Sequence, residues 1–161
     1  MLYVGKGKKM NNVLGSISAN LIKLFDNIME VEAYAIRDEY GDKISMTEVH
    51  TIAAIGVAEL KSMSELAAQL SITVGTLTVA INNLVKKGFV ERYKTERDRR
   101  IVKVALTKEG KKIYSLHEKF HKDVVFALIK GLNENEMDVV AKALDNLNSF
   151  VEKRFENGEI K

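Results

Sequence analysis

The sequence contains no cysteine and no proline, and no apolar run in it approaches the roughly 18 residues that a membrane-crossing helix needs. The first absence excludes disulfides, thiolate metal sites and any cysteine redox switch. The second removes the residue that most often breaks helices, while 10 glycines are enough to punctuate several turns, so a mainly helical chain is expected. The third excludes a membrane partner. Met1-Leu2-Tyr3-Val4 is followed at once by Gly5-Lys6-Gly7-Lys8-Lys9, too short and too polar for the apolar stretch of a secretory signal, so a cytoplasmic location is expected. No G-x-S-x-G, P-loop or G-x-G-x-x-G motif is present, and the carboxylates show no pairing in sequence. The expectation is therefore a non-enzyme without a cofactor. The 161 residues suffice for one domain, and 46% hydrophobic with 29% charged residues suits a globular core.

Charge is nearly balanced overall, with 25 basic and 22 acidic side chains, but not locally. Lys86, Lys87, Arg92, Lys94, Arg97, Arg99, Arg100 and Lys103 face only Glu91, Glu96 and Asp98, which leaves the remainder of the chain slightly acidic. A concentrated basic segment is what a phosphate-tracking surface requires, because each neutralised phosphate releases counterions. A basic surface loop with no partner would look the same in composition.

Leu14, Ile17, Leu21, Leu24, Phe25, Ile28 and Val31 recur at spacings of three and four, which predicts a long first helix from about 13 to 37, ended by Gly41-Asp42. A second helix is expected from Met46 to about Ala58. A third starts at Ser62, which has capping-box spacing to Glu65. After the break Ser71-Ile72-Thr73, a fourth helix buries Leu77, Ile81, Leu84 and Val85 and stops at Gly88. Its other face, with Thr73, Gly75, Thr76, Val79, Asn83 and Lys86, is small, polar and free of acids. Two short helices joined by a tight turn, the second carrying such a face, fit a helix-turn-helix reader of double-stranded DNA, although any helical hairpin has the same spacing.

Alternation then replaces helical periodicity. Residues 89–93 and 101–106 read as two strands of a hairpin with a basic tip, hence a wing. Arg97, Arg99 and Arg100 are the candidate DNA contacts of that tip, with Arg99 or Arg100 placed for the minor groove. Asp98 is expected to pair with a neighbouring cation and hold the tip's shape. Thr107 caps a helix running to about Gly131, and Asn133 with Glu136 opens a last one. The resulting division is a flexible basic tail over 1–12 and one domain over 13–161, with dimerisation helices at 13–40 and 107–155 around a winged helix-turn-helix at 46–106. The apolar stripes on the first and last helices exceed what a monomer of this size can cover, so a helical homodimer is expected.

Gly88-Phe89-Val90-Glu91-Arg92, the tip Asp98-Arg99-Arg100 and Leu106-Thr107-Lys108-Glu109-Gly110, taken with the order of helices, resemble the MarR family of bacterial transcriptional regulators over residues 13–155. The resemblance implies an intertwined homodimer with two winged units on a pseudo-palindromic operator, and a ligand that changes their separation. Within the family, Glu48-Val49-His50-Thr51-Ile52, residues 73–78, Ile81-Asn82-Asn83-Leu84 and Leu116-His117 with His121 resemble the MarR-type repressors of bacterial fatty-acid synthesis. That group implies an acylated acyl carrier protein as corepressor, for which Leu21, Leu24, Phe25, Ile28 and Ile55 are the candidate apolar pocket. The basic stretch before Asn12 is an addition to the pattern, serving either as extra backbone contacts or as the segment before a start at Met10.

His117-Glu118-Lys119-Phe120-His121 spells H-E-x-x-H, the zinc-protease signature, but a third ligand and a cleft are missing from the pattern. A different arrangement would have His50 turn toward the terminal helices to meet His117 and His121. Zinc-responsive MarR-type regulators use histidines from comparable places, and Glu32, Glu48 or Glu118 could complete the set. The alternatives left open are three structural histidines, a zinc sensor built on the same DNA-binding unit, or a helical interaction protein that binds no nucleic acid.

Overall fold

The computed structural model describes residues 4–94 and 102–156. Six helices and a small antiparallel sheet make the chain mainly helical: α1 (Val4–Tyr40), α2 (Met46–Ile55), β1 (Lys61–Ser62), α3 (Met63–Gln69), α4 (Val74–Lys86), β2 (Val90–Lys94), β3 (Val102–Leu106), α5 (Lys108–Ile129) and α6 (Glu134–Glu156). They form two compact units, Met1–Phe120 and His121–Lys161.

In the first unit α1 starts at Val4, so residues 4–12 are helical rather than the tail expected from their charge. Nothing in that stretch stops a helix: lysine, methionine and asparagine continue one, and isolated glycines weaken it without breaking it. α2 ends at Ile55, before the expected Ala58, because Gly56 adopts φ +67° and returns its N–H to the Ile52 carbonyl. Its start is held by Ser45, whose hydroxyl accepts the Glu48 N–H while the Glu48 carboxylate accepts the Ser45 N–H. Ser62 and Glu65 repeat this capping box at α3, as the sequence spacing predicts.

The sheet has three strands in the order β1-β3-β2, not the two of a simple hairpin. β1 is only two residues long, pairing Lys61 with Val104 and Ser62 with Lys103, and so has no periodicity to read in sequence. In β2 and β3, Val90 pairs with Leu106 and Arg92 with Val104. The register buries Val90, Val104 and Leu106 against Val49, Ile52, Leu66, Leu77, Ile81, Leu84 and Ile113 in one core.

A compact knot joins the end of α4 to the start of α5. Gly88 takes φ +77°, and the Phe89 N–H returns to the Leu84 carbonyl at 2.9 Å, closing α4 as a Schellman-type cap. The Thr107 hydroxyl donates to the Gly88 carbonyl at 2.7 Å and accepts the Gly110 N–H at 3.1 Å. The Thr107 N–H in turn donates to the Phe89 carbonyl. That carbonyl passes so close to Gly110 that a Cβ there would collide with it. The Thr-x-x-Gly signature therefore has a local cause: a hydroxyl that serves both helix ends, and a bare α-carbon where two backbones meet.

The second unit consists of the C-terminal part of α5 and of α6. Asn133 and Glu136 exchange side-chain and backbone hydrogen bonds at 3.0 and 3.1 Å, and the Arg154 guanidinium lies 5.2 Å from the Phe150 ring centroid. Among the described residues no single helix is long and apolar enough to cross a membrane.

Candidate nucleic-acid interface

α4 is capped by Thr73, whose Oγ1 accepts the Thr76 N–H at 3.1 Å and lies 2.9 Å from the Thr76 hydroxyl. Ser71, at φ +54°, makes the tight turn from α3. Leu77, Ile81 and Leu84 are fully buried and set the helix's rotation, which turns Gly75, Thr76, Val79, Asn83 and Lys86 outward. Val79 is 61% exposed, high for a β-branched apolar residue and suited to contact with a thymine methyl. A Cβ on Gly75 would meet only Thr73 Oγ1 at 3.7 Å, so internal packing does not require glycine there. The bare α-carbon leaves the first turn's backbone open to close approach. The first turn of α4 holds no acid, unlike those of α2, α3, α5 and α6, so its positive helix end is uncompensated and favours phosphate.

Two residues that the sequence did not single out as site residues brace this helix. Lys87, its C-cap residue, places its ammonium 2.8 Å from both Glu48 carboxylate oxygens. Burial pushes the Glu48 carboxyl up, but the Lys87 ammonium and the Ser45 N–H together outweigh it and hold the group below the usual carboxylate range. Glu48, a candidate metal ligand by sequence, is thus spent on a cap and an ion pair. Arg92, on β2, donates from Nη2 to Asn82 Oδ1 at 2.6 Å. The sequence reading missed both halves of Glu48's role: the Ser45-x-x-Glu48 spacing was a signal for the cap, whereas the ion-pair partner lies 39 positions away.

The wing-tip candidates Arg97, Asp98, Arg99 and Arg100 lie outside the described residues. The candidate effector residues are described, and they differ in exposure. Ile55 sits in the core at 1% exposure, Leu21 and Ile28 are half-buried, and Leu24 and Phe25 face outward. Their shared periodicity places the α1 residues on one stripe, of which Leu24 and Phe25 are the more exposed members. A groove of about 910 Å³ lies elsewhere, between the end of α1, the start of α2 and the reading face of α4, with Ile36, Ile44, Met46, Val79, Asn83 and Lys87 among its walls.

The histidines divide between the units. His50 and His117 come together, ring centroids 5.7 Å apart, around buried Glu32 of α1. Glu32 Oε1 is 2.5 Å from His117 Nδ1, and Oε2 is 3.8 Å from His50 Nε2. One donor atom from each of the three residues lies within 4.8 Å of the other two. His121, the third histidine of the sequence-based set, falls in the second unit.

A family model described as "MarR family" matches residues 44–102. The chain is 34% identical over 116 residues to the HTH-type transcriptional regulator SarZ of Staphylococcus saprophyticus, covering 70% of this chain and 74% of that protein. It is 27% identical over 117 residues to the HTH-type transcriptional regulator PchR of Bacillus subtilis, covering 71% and 69%. Among solved structures, FabT of Streptococcus pneumoniae in complex with DNA matches at 39% identity and a TM-score of 0.76, over 87% of this chain and 98% of that one.

Proposed function

We propose that this chain, which belongs to the MarR family of DNA-binding transcriptional regulators, acts as a homodimeric repressor of fatty-acid biosynthesis genes on a pseudo-palindromic operator, with acylated acyl carrier protein as corepressor. The observation that carries the DNA-binding part is the outward, acid-free face of α4, set by the burial of Leu77, Ile81 and Leu84. The 39% identity to a protein solved on DNA supports it. Thr76, Val79, Asn83 and the open backbone at Gly75 meet base edges in the major groove. Thr73 fixes the helix start, Lys86 meets phosphate, and Arg97, Arg99 and Arg100 serve the wing. Half-sites lie about one helical turn, roughly 10 bp, apart. Asn83→Ala is expected to cost about 1–3 kcal/mol of operator affinity, measured by fluorescence anisotropy.

The corepressor reading rests on the sequence segments shared with the fatty-acid repressors and on the apolar stripe of α1. A second chain packed against that stripe would close Leu21, Leu24, Phe25 and Ile28 into a tunnel wall. A ligand shifts DNA binding only as far as it prefers one dimer geometry. The expected outcome is tighter operator binding with long-chain acyl carrier protein and no change with the unacylated carrier. A monomer at micromolar concentration with no affinity for its own promoter would sink the whole reading.

A second reading, a zinc-responsive regulator, is favoured by the Glu32, His50 and His117 group. Its donor types suit zinc, and drawing atoms now within 4.8 Å onto one ion asks for small movements. The direct contact between Glu32 and His117 would have to open first. Operator affinity that falls with chelator and returns with zinc, in the wild type but not in His117→Ala, would replace the acyl reading with this one.

A further inference from the structure

Two cations of the basic segment, Lys87 and Arg92, are engaged by partners within the fold. We propose that Lys87 and Arg92 are positioning residues that aim the reading helix, not phosphate contacts; the inference rests on the DNA-binding reading above. Both belong to the basic cluster by charge. In the structure each has a short bond to a partner inside the first unit. Lys87 closes on both oxygens of Glu48 at 2.8 Å, tying the C-terminal end of α4 to the first turn of α2. Arg92 donates to Asn82 at 2.6 Å, tying strand β2 of the wing to the flank of α4 next to Asn83. The two ties constrain different motions: the first fixes where the C-terminal end of the reader lies against α2, the second how far the wing splays from it. Lys86, one residue before Lys87, is exposed on the reading face and is the contrasting case.

The two roles differ in their salt dependence. A cation that neutralises a phosphate contributes close to one unit to the slope of log affinity against log salt, whatever the DNA sequence. A cation that positions the reader contributes little to that slope and acts on specific binding, because only base contacts need the helix aimed.

The experiment measures affinity of the wild type, Lys86→Ala, Lys87→Ala and Arg92→Ala for promoter duplex and for a scrambled duplex across a salt series, with melting temperatures alongside. Lys86→Ala is expected to flatten the slope by about one unit and to weaken both duplexes. Lys87→Ala and Arg92→Ala are expected to leave the slope and the scrambled-duplex affinity unchanged while weakening promoter binding roughly three- to tenfold. Glu48→Gln and Asn82→Ala release the cations without removing them and should reproduce that loss. Glutamine still serves the Ser45 capping box, so Glu48→Gln isolates the tie to Lys87. Each double variant, Lys87→Ala with Glu48→Gln or Arg92→Ala with Asn82→Ala, should be no worse than its poorer single variant. A slope flattened by about one unit in Lys87→Ala or Arg92→Ala, equal loss on both duplexes, additive double variants or no loss at all would overturn the proposal. A wild type that prefers neither duplex would instead remove the DNA-binding reading beneath it.

Discussion

The winged region and the long helices carry the same kind of apolar periodicity, and the structure treats them in opposite ways. Between Val49 and Ile113 lie all the largest fully buried side chains among the described residues, drawn from α2, α3, α4, β3 and the start of α5. On α1 the stripe that the sequence marks as a helix face leaves Leu14, Ile17, Leu24, Phe25 and Val31 about half exposed or more. α6 leaves Val139, Leu144, Phe150 and Val151 40% exposed or more. Periodicity tells which face of a helix is apolar and not what covers it. The winged region closes its core with its own chain, whereas the long helices present surface that a lone protein of this size seldom leaves exposed. A second copy of the chain is the occupant that the proposed function requires.

Substitutions of similar size should therefore act differently in the two regions. Leu77→Ala, at a fully buried position, should lower the stability of the winged region by about 2–5 kcal/mol in urea unfolding, and operator binding should fail with it. Phe25→Ser, at 61% exposure in the single chain, should leave the fold of the winged region intact and weaken self-association by about 1.5–3 kcal/mol, read by sedimentation equilibrium against protein concentration. If Phe25→Ser unfolds the chain as Leu77→Ala does, the contrast between the regions fails.

The smallest expected effect is a pH effect inside the winged region. Glu48 titrates below its ordinary value of 4.5 in the folded state. The stability it contributes is therefore fully present above about pH 4.5 and is lost as pH falls from there through its folded value. Glu48→Gln should reduce stability at neutral pH by on the order of 1 kcal/mol or less, because the Lys87 side of the pair is partly exposed. The difference from wild type should shrink progressively on acidification below about pH 4.5. A difference that stays constant from pH 7 to pH 3 would mean that the ion pair contributes nothing to stability.

Local chemistry was legible in the sequence wherever a few neighbouring residues decide the outcome. Ser62 with Glu65, Asn133 with Glu136, the stop at Gly88 and the Thr107 cap were all readable, because capping hydrogen bonds and left-handed glycines act over three or four residues. The outward face of α4 was readable for the same reason, since the spacing of Leu77, Ile81 and Leu84 fixes its rotation. Only the tertiary structure decided the rest, because those contacts join residues whose separation in the chain carries no pattern. It paired β1 with β3, put Glu48 on Lys87, and set Glu32 between His50 and His117. It also showed that Leu24 is 49% and Phe25 61% exposed. An apolar stripe looks the same in sequence whether its cover comes from the chain that carries it or from another.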